Sequence, residues 1–173
     1  QSHLSIQNGR WEREEHRGWE LEGKTVGIIG YGNTGKSFAQ KLKGFDVEVL
    51  CYDINPGLGD VNANQVSLQK LQKKAQILSL HIPQSPETIG MIDKNFIDNM
   101  SNPFWFLNSA RGKAVITEDL VDGIEKGKIL GAGLDVFEYE SSSFESIFNQ
   151  SNRPKALDYL LSSDSVLLSP HVG

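Results

Sequence analysis

Short, continuously apolar runs alternate along this chain with segments in which apolar residues recur at helical spacing. The apolar runs predict strands at residues 26–29, 47–52, 77–82, 104–107, 129–137 and 166–168. Helices are predicted after the first strand and at 67–74, 93–100, 117–126 and 154–161. Because the strands are apolar along their whole length, the pattern indicates a parallel sheet covered by helices on both faces, an α/β fold of the doubly wound type.

Residue types at the ends of these elements predict their boundaries. Ser67 is the expected N-cap of one helix and Thr117, followed by Asp119, that of another. Gly44 is the expected stop of the first helix. The small residues inside 129–137 predict close packing of that strand by a helix or a ligand.

The first 22 residues do not follow this pattern. Residues 1–10 are polar and predict a loose lead-in, whereas residues 11–22 combine Trp11 and Trp19 with many charged residues. We expect a short amphipathic helix and loop at 11–22, laid against another element, because isolated exposed tryptophans are unusual. The sheet-forming domain is expected at residues 23–173.

The strongest local motif follows the first strand, where residues 26–36 read VGIIGYGNTGK. Gly30, Gly32 and Gly35 form G-x-G-x-x-G in the order strand, turn, helix, which is the dinucleotide-binding fingerprint of Rossmann folds. The first glycine allows the tight turn, the second lets a pyrophosphate approach the backbone, and the third lets the helix pack closely on the strand. The helix N-terminus then faces the anion.

An acidic residue about 20 positions later strengthens this interpretation. The second strand ends in Cys51, Tyr52 and Asp53, so Asp53 is placed to accept hydrogen bonds from an adenosine ribose. The alternative is a solvated turn aspartate before Asn55. No Lys or Arg lies between Tyr52 and Gly59 to neutralise a 2′-phosphate, so the expected cofactor is NAD and not NADP.

The amino-acid composition excludes some classes of binding partner for this protein. The 173 residues fit one domain, and the net charge of −5 argues against a nucleic-acid-binding surface. The sequence has no apolar segment of membrane-spanning length and no signal-like start. Cys51 is the only cysteine, which fits a reducing compartment. We therefore expect a cytoplasmic protein with no nucleic-acid partner, no membrane partner and no metal site.

Unusual polar residues collect where the predicted strands end, and they match the needs of hydride transfer between NAD and a hydroxy acid. Arg111 could hold a carboxylate with its planar fork, and His171 could carry the hydroxyl proton. A carboxylate beside His171 would favour the imidazolium, and spacing alone leaves Glu138 and Glu140 as equal candidates. Taken singly, Arg111 could be a solvated residue, His81 a satisfied loop histidine and Glu140 one charge of an acidic turn.

These residues lie in long segments that resemble the cofactor domain of the D-isomer-specific 2-hydroxyacid dehydrogenases. The matching segments are GKTVGIIGYGNTGK, CYD, LSLHIPQSPETIGMID, LNSARGKAVITEDLVDGIEKGKILGAGLDVFEYE and LLSPHVG. The resemblance implies that Arg111 orients the substrate, that His171 is the acid/base and that Glu140 is its partner. It also implies a 2-hydroxy or 2-oxo acid substrate and a homodimer formed through the cofactor domain. The residues expected at NAD are Gly30, Gly32, Asn33, Thr34, Gly35, Asp53, His81, Pro83, Ser109, Ala110, Arg111, Asp135, His171 and Gly173.

The chain departs from the family pattern in one local feature and in one of domain organisation. Ser141 follows Glu140, where the family usually has proline, so the loop shape there is expected to differ. The family also wraps a second, substrate-binding domain around the cofactor domain. We expect this chain to be a cofactor domain separated from that partner and inactive alone, with Trp11 and Trp19 on the surface that meets it.

Two other functions fit parts of the same pattern. A non-enzymatic NAD(H)-sensing module, like the co-repressors related to these dehydrogenases, would keep the same catalytic residue types. An adenosylhomocysteinase-like enzyme would share the glycine turn, but the SARG and SPH segments at two strand ends argue against it.

Overall fold

The computed structural model describes residues 2–139 and 153–173. Within them, seven strands form one parallel sheet: β1 Thr25–Ile29, β2 Glu48–Tyr52, β3 Asn64–Gln65, β4 Ile77–Leu80, β5 Phe104–Asn108, β6 Ile129–Leu134 and β7 Val166–Leu168. The helices are α1 Ser2–Gln7, α2 Asn33–Lys41, α3 Leu68–Lys74, α4 Lys94–Asn99, α5 Thr117–Glu125 and α6 Lys155–Ser162, with a short 3₁₀ turn at Gly112–Ala114. In the part of the chain that the structure describes, no helix is long and apolar enough to cross a membrane.

The sheet has the order β3-β2-β1-β4-β5-β6-β7. The chain enters at β1, builds outward through β2 and β3, and then returns to place β4 on the other side of β1. The point where the order reverses lies between β1 and β4. Ligands of such sheets bind beyond the carboxyl ends of the strands at this reversal, so the topology places the glycine turn there. The predicted doubly wound α/β class is confirmed.

Two apolar clusters cover the two faces of the sheet. The larger contains Phe104 and Phe106 of β5 together with Leu120 of α5, and the smaller contains Ile28 of β1 and Cys51 of β2. These side chains are almost fully buried, as continuously apolar strands require. Burial also raises the pKa of the Cys51 thiol to about 11, so this cysteine is protonated at neutral pH.

The loose lead-in predicted for residues 1–10 and the helix predicted within residues 11–22 were wrong, whereas the predicted packing against another element is seen at Leu21, which lies against the smaller apolar cluster. The lead-in contains helix α1, where Ser5 is buried and its hydroxyl lies 2.9 Å from Nε2 of His16. Residues 11–22 form turns and no helix, and Trp11 and Trp19 are 84% and 71% exposed. A contact between residues 11 positions apart orders this segment, and local periodicity carries no signal for such a contact.

The helix boundaries were confirmed at Ser67, whose side chain accepts the Lys70 amide, and at Gly44, which has φ +91° just after α2. The predicted cap at Thr117 was wrong, because Thr117 is the first helical residue and Ile116 occupies the N-cap position without a capping side chain. The carboxylate of Glu138 accepts the Thr117 amide instead, at 2.8 Å. A residue 21 positions away therefore caps α5.

The prediction for residues 129–137 also needs correction. Strand β6 ends at Leu134, three residues before the predicted end. Large side chains of the neighbouring strand β5 pack against its glycines: a Cβ on Gly131 would overlap the ring of Trp105, and one on Gly133 would lie 3.0 Å from Leu107. The small residues therefore make room for large side chains across the sheet.

Candidate functional site

The glycine turn after β1 is the centre of the site. Gly30 has φ +90°, its amide donates to the Tyr52 carbonyl at 2.9 Å, and a Cβ there would overlap the carbonyl of His81. A Cβ on Gly35 would overlap the Gly30 carbonyl oxygen. Only glycine fits either position, so these two residues hold helix α2 tightly against the start of the turn.

Gly32 has a different environment. It is the N-cap of α2, no side chain caps the helix there, and no atom lies within 4 Å of a Cβ built on it. Asn33 and Thr34 of the first helical turn are exposed. The amides of a first helical turn have no partner within the helix and carry its positive end. Open space at Gly32 beside these amides fits a pyrophosphate, as the motif predicts.

Asp53 is bound to the glycine turn. Its Oδ2 accepts the Tyr31 amide at 2.8 Å and its Oδ1 accepts the Asn55 amide at 2.9 Å. Oδ1 also accepts from the Asn55 side chain at 3.2 Å, whereas Oδ2 has capacity for a further hydrogen bond and can still accept a ribose hydroxyl. A cavity of about 580 Å³ adjoins Asp53, and Tyr52 and Ser67 are among its lining residues. The position fits the predicted adenosine ribose.

Tyr31 gives the turn a second anchor. Its side chain is fully buried, and its hydroxyl donates to Oδ1 of Asp60 at 2.8 Å. Burial, followed by the hydrogen bond to Asp60, raises the pKa of this phenol. Tyr31, which separates Gly30 from Gly32, therefore anchors the turn twice: its backbone amide bonds to Asp53 and its hydroxyl bonds to Asp60.

His81 lies beside the turn through its backbone. Its amide donates to the Ile29 carbonyl at 2.7 Å, while its ring lies 3.0 Å from the Ser79 hydroxyl and 5.1 Å, between centroids, from the ring of Phe38. Burial lowers the pKa of His81, which keeps the ring neutral at pH 7. The side chain is a satisfied loop histidine, the alternative noted above, and contact of His81 or Pro83 with NAD stays a prediction.

The loop after β5 carries Ser109, Ala110 and Arg111. Asn108, only 2% exposed, accepts the Ala110 amide with its side-chain oxygen and donates to the Arg111 carbonyl, both at 3.0 Å. A Cβ on Gly112 would overlap the carbonyl of Phe137, just beyond β6. The loop that bears Arg111 is therefore closed by Asn108 and pressed against the next strand end.

The loop after β7 is held by Asp135. Its carboxylate accepts the Ser169 hydroxyl at 2.6 Å, the Val172 amide at 3.0 Å and the Gly173 amide at 2.8 Å. The His171 amide donates to the Asp135 backbone carbonyl at 2.9 Å, and His171 has φ +55°. Asp135 therefore closes the residues on both sides of His171 into a tight turn.

The same hydrogen bonds, with that from Ser169 the largest, lower the pKa of Asp135. A lowered folded-state pKa means that the stabilisation is fully present above the unfolded-state pKa of about 3.9 and is lost as pH falls through the folded-state value. We expect Asp135→Asn to lower the free energy of unfolding at pH 7, and the difference from wild type to shrink towards pH 3. Urea unfolding at both pH values measures this.

Asp46→Asn is the matched control for this experiment. Asp46 is exposed and lies on the loop before β2, so it is at the amino ends of the parallel strands, whereas Asp135 lies at their carboxyl ends. A difference between Asp135→Asn and wild type that stays constant from pH 7 to pH 3 would contradict the assignment of the stabilisation to the Asp135 carboxylate.

The structure brings several of the predicted residues together in two groups: Gly30, Gly35, Asp53 and His81 around the glycine turn, and Ser109, Asp135 and Gly173 at the ends of β5 to β7. A Cβ on Gly173 would lie 2.9 Å from Oδ2 of Asp135 and 4.0 Å from the Cβ of Ser109, so the ends of β5, β6 and β7 meet. Glu138 is used to cap α5, whereas Glu140 lies outside the described residues, so pairing of Glu140 with His171 stays a prediction.

Tyr31, Asn108 and Ser169 are among the residues of the site that sequence reasoning missed. Each is polar and lies within two positions of a predicted site residue at a strand end. Of these three residues, only Asn108 could have been found from the sequence. Its side-chain amide directly follows the apolar run 104–107, where it is expected to be buried and to need hydrogen-bond partners.

Comparison with known proteins agrees with this geometry. The family model for the D-isomer specific 2-hydroxyacid dehydrogenase, NAD binding domain, matches residues 1–173. The chain is 35% identical to a hydroxypyruvate reductase of Thermotoga maritima, covering 98% of this chain and 52% of the relative. It is 33% identical to a D-3-phosphoglycerate dehydrogenase of Archaeoglobus fulgidus, covering 100% of this chain and 31% of the relative.

Among solved structures, a D-lactate dehydrogenase from Aquifex aeolicus in complex with NAD and lactic acid superimposes with a TM-score of 0.87 at 31% identity, covering 98% of this chain and 53% of that one. The chain therefore spans about half the length of this structure and of the hydroxypyruvate reductase. The fold, the glycine turn and the family match converge: the chain belongs to the D-isomer-specific 2-hydroxyacid dehydrogenase family and matches its NAD-binding domain.

Proposed function

We propose that this chain is the cofactor domain of an NAD-dependent oxidoreductase that acts on the CH–OH group of a 2-hydroxy acid. One observation carries the proposal: the loop of Arg111 and the loop of His171 are fixed side by side at the carboxyl edge, through Gly112 against Phe137 and through Asp135. This edge also carries the glycine turn. In the proposal, this edge binds the cofactor and also carries the cation of Arg111 and the imidazole ring of His171.

The role of each residue follows from its chemistry. NAD, when bound, accepts the hydride. Arg111 holds the substrate carboxylate with its planar fork and polarises the oxygen on the neighbouring carbon. His171 accepts the hydroxyl proton, since imidazole exchanges protons near neutral pH. Glu140 is the carboxylate that we propose to support the imidazolium.

The substrate proposed first is 3-phosphoglycerate, which would place the enzyme at the first step of serine biosynthesis. The sequence segments quoted above look most like D-3-phosphoglycerate dehydrogenase, and four such proteins are among the relatives, at 33–34% identity. Hydroxypyruvate and glyoxylate are the competing substrates, because relatives at 35% and 36% identity are a hydroxypyruvate reductase and a glyoxylate reductase. A second domain would supply most of the substrate contacts and so decide between these acids.

The experiment is NADH oxidation by the complete protein with 3-phosphohydroxypyruvate, hydroxypyruvate, glyoxylate and pyruvate, each compared by kcat/KM. We expect the phospho-substrate to be preferred, and preference for another acid would replace the substrate proposal. NADH binding without turnover of any acid would overturn the enzymatic proposal and favour the NAD(H)-sensing module. This chain alone should bind NADH without turnover.

We further propose a cytoplasmic homodimer. Leu107 of β5 and Leu167 of β7 are 37% and 77% exposed, and both flank Gly133 in register on one sheet face. Exposed aliphatic side chains that adjoin on one face are typical of interaction surfaces. Sedimentation at micromolar concentration tests the pairing, and a species of monomer mass alone would contradict it.

A further inference from the structure

The side chain of Gln65 on β3 bonds to the loop that follows Asp53. Its Oε1 accepts the Leu58 amide at 2.7 Å and the Gly59 amide at 3.3 Å. Its Nε2 donates to the Asn55 carbonyl at 2.7 Å and lies 3.5 Å from the Asp53 carbonyl. A side-chain amide has two acceptor sites and two donor hydrogens, so these contacts use its whole capacity.

The loop itself is a tight turn at residues 55–58. Pro56 occupies the second position and Gly57, with φ +77°, the third, which are the preferences of a type II turn. In a closed turn the first carbonyl accepts the fourth amide. Here the Gln65 amide joins these two groups, Asn55 and Leu58, from outside the turn.

The turn is pressed onto the strand that carries Gln65. A Cβ on Gly59 would lie 2.9 Å from the backbone nitrogen of Gln65, so the loop backbone lies directly on β3. Strand β3 is only two residues long and forms the edge of the sheet. The Gln65 side chain therefore supplies an attachment that the short ladder with β2 cannot.

This loop also forms a wall of the cavity beside Asp53. The cavity of about 580 Å³ is lined by Pro56, Gly57 and Gly59 of the loop, and by Gln65 itself. Any movement of the turn changes the width of the cavity, and through the Asn55 amide it reaches the Asp53 carboxylate. The position of one side chain thus sets the shape of the predicted adenosine site.

We propose that Gln65 is a positioning residue for the adenosine half of the NAD site. It holds the turn at 55–58 so that the cavity is open and Asp53 is aimed before the cofactor arrives. The inference rests on the cofactor and not on the substrate, so a binding experiment tests it even where the proposed substrate is wrong.

The first test is NADH titration of Gln65→Leu, which keeps the size of the side chain and removes its hydrogen bonds. We expect the Kd for NADH and for AMP to rise about tenfold, as loss of the hydrogen bonds that order a binding loop predicts. In the complete enzyme, KM for NADH should rise with kcat unchanged. Gln40→Leu is the matched control, because Gln40 is exposed on α2 and should leave Kd unchanged.

Gln65→Glu gives a readout that a merely structural role would not produce. The carboxylate can still accept from Leu58 but places a negative oxygen against the Asn55 carbonyl, whereas the protonated acid can donate to it. We expect weak NADH binding at pH 7.5 that recovers several-fold towards pH 5, with wild-type affinity changing little over the same range. A Kd ratio to wild type that does not vary with pH would overturn the donor role.

A pair of glycine variants tests the turn without touching Gln65. Gly57→Ala and Gly44→Ala both place alanine at positive φ, with no atom within 4 Å of the new Cβ. The two should cost similar stability, but only Gly57→Ala should weaken NADH. Wild-type NADH affinity in Gln65→Leu, Gln65→Glu and Gly57→Ala would overturn the proposal, even if one of them folds poorly.

Discussion

His171→Asn is expected to lower turnover by about 10²–10⁴-fold, the usual contribution of a positioned acid/base group. Asparagine keeps a polar side chain but cannot carry the hydroxyl proton at neutral pH. It also tolerates the left-handed backbone that His171 adopts at φ +55°, so the turn held by Asp135 should keep its shape. The loss should therefore lie in chemistry and not in folding.

The measurement is kcat of the complete enzyme on its best acid, beside NADH affinity from fluorescence titration. NADH affinity is expected to fall far less than turnover, since removing a group that acts mainly in the transition state leaves most of the ground-state binding intact. His3→Asn is the control, because His3 is exposed on α1 at the far end of the chain. A variant at His171 that keeps wild-type turnover would show that another group carries the proton.

The sheet could be predicted because its signal is local. Strand β4, Ile77–Leu80, is buried at every position and apolar at all but Ser79, and the sequence displays this pattern directly. The glycine turn was predictable for a related reason. A side chain at Gly30 or Gly35 would overlap backbone atoms, so both positions require glycine, and the sequence shows glycine directly. Fold class, cofactor and strand-end chemistry all follow from signals of this kind.

What could not be predicted depends on contacts between distant residues. The carboxylate of Glu138 caps α5 from 21 positions away, and Gln65 holds a turn 10 positions earlier. Glutamate and glutamine occur mostly on exposed surfaces, so nothing in their residue type reveals such a use. Helix α1 and the end of β6 were also missed, and both lie at contacts of this kind: Ser5 of α1 contacts His16, and Phe137, just beyond β6, lies against Gly112.

Gly32→Ala should separate cofactor binding from folding. Gly32 has φ −83°, which alanine adopts without strain, and its Cβ would meet no atom within 4 Å. Stability should stay within about 0.5 kcal/mol of wild type, as for other substitutions that touch nothing. The new methyl group would, however, fill the space through which the pyrophosphate approaches the backbone. We expect NADH affinity to fall about 10–100-fold, corresponding to about 1–3 kcal/mol of overpacking.

Gly35→Ala is the counterpart, three residues further along. Its Cβ would overlap the Gly30 carbonyl, which is backbone and can yield only if helix α2 moves away from the turn. Both NADH affinity and stability should fall, the latter by about 1–3 kcal/mol. Urea unfolding and NADH titration of the two variants together form the test. If Gly32→Ala binds NADH as wild type does, the pyrophosphate does not pass over Gly32, and the open space there has another purpose.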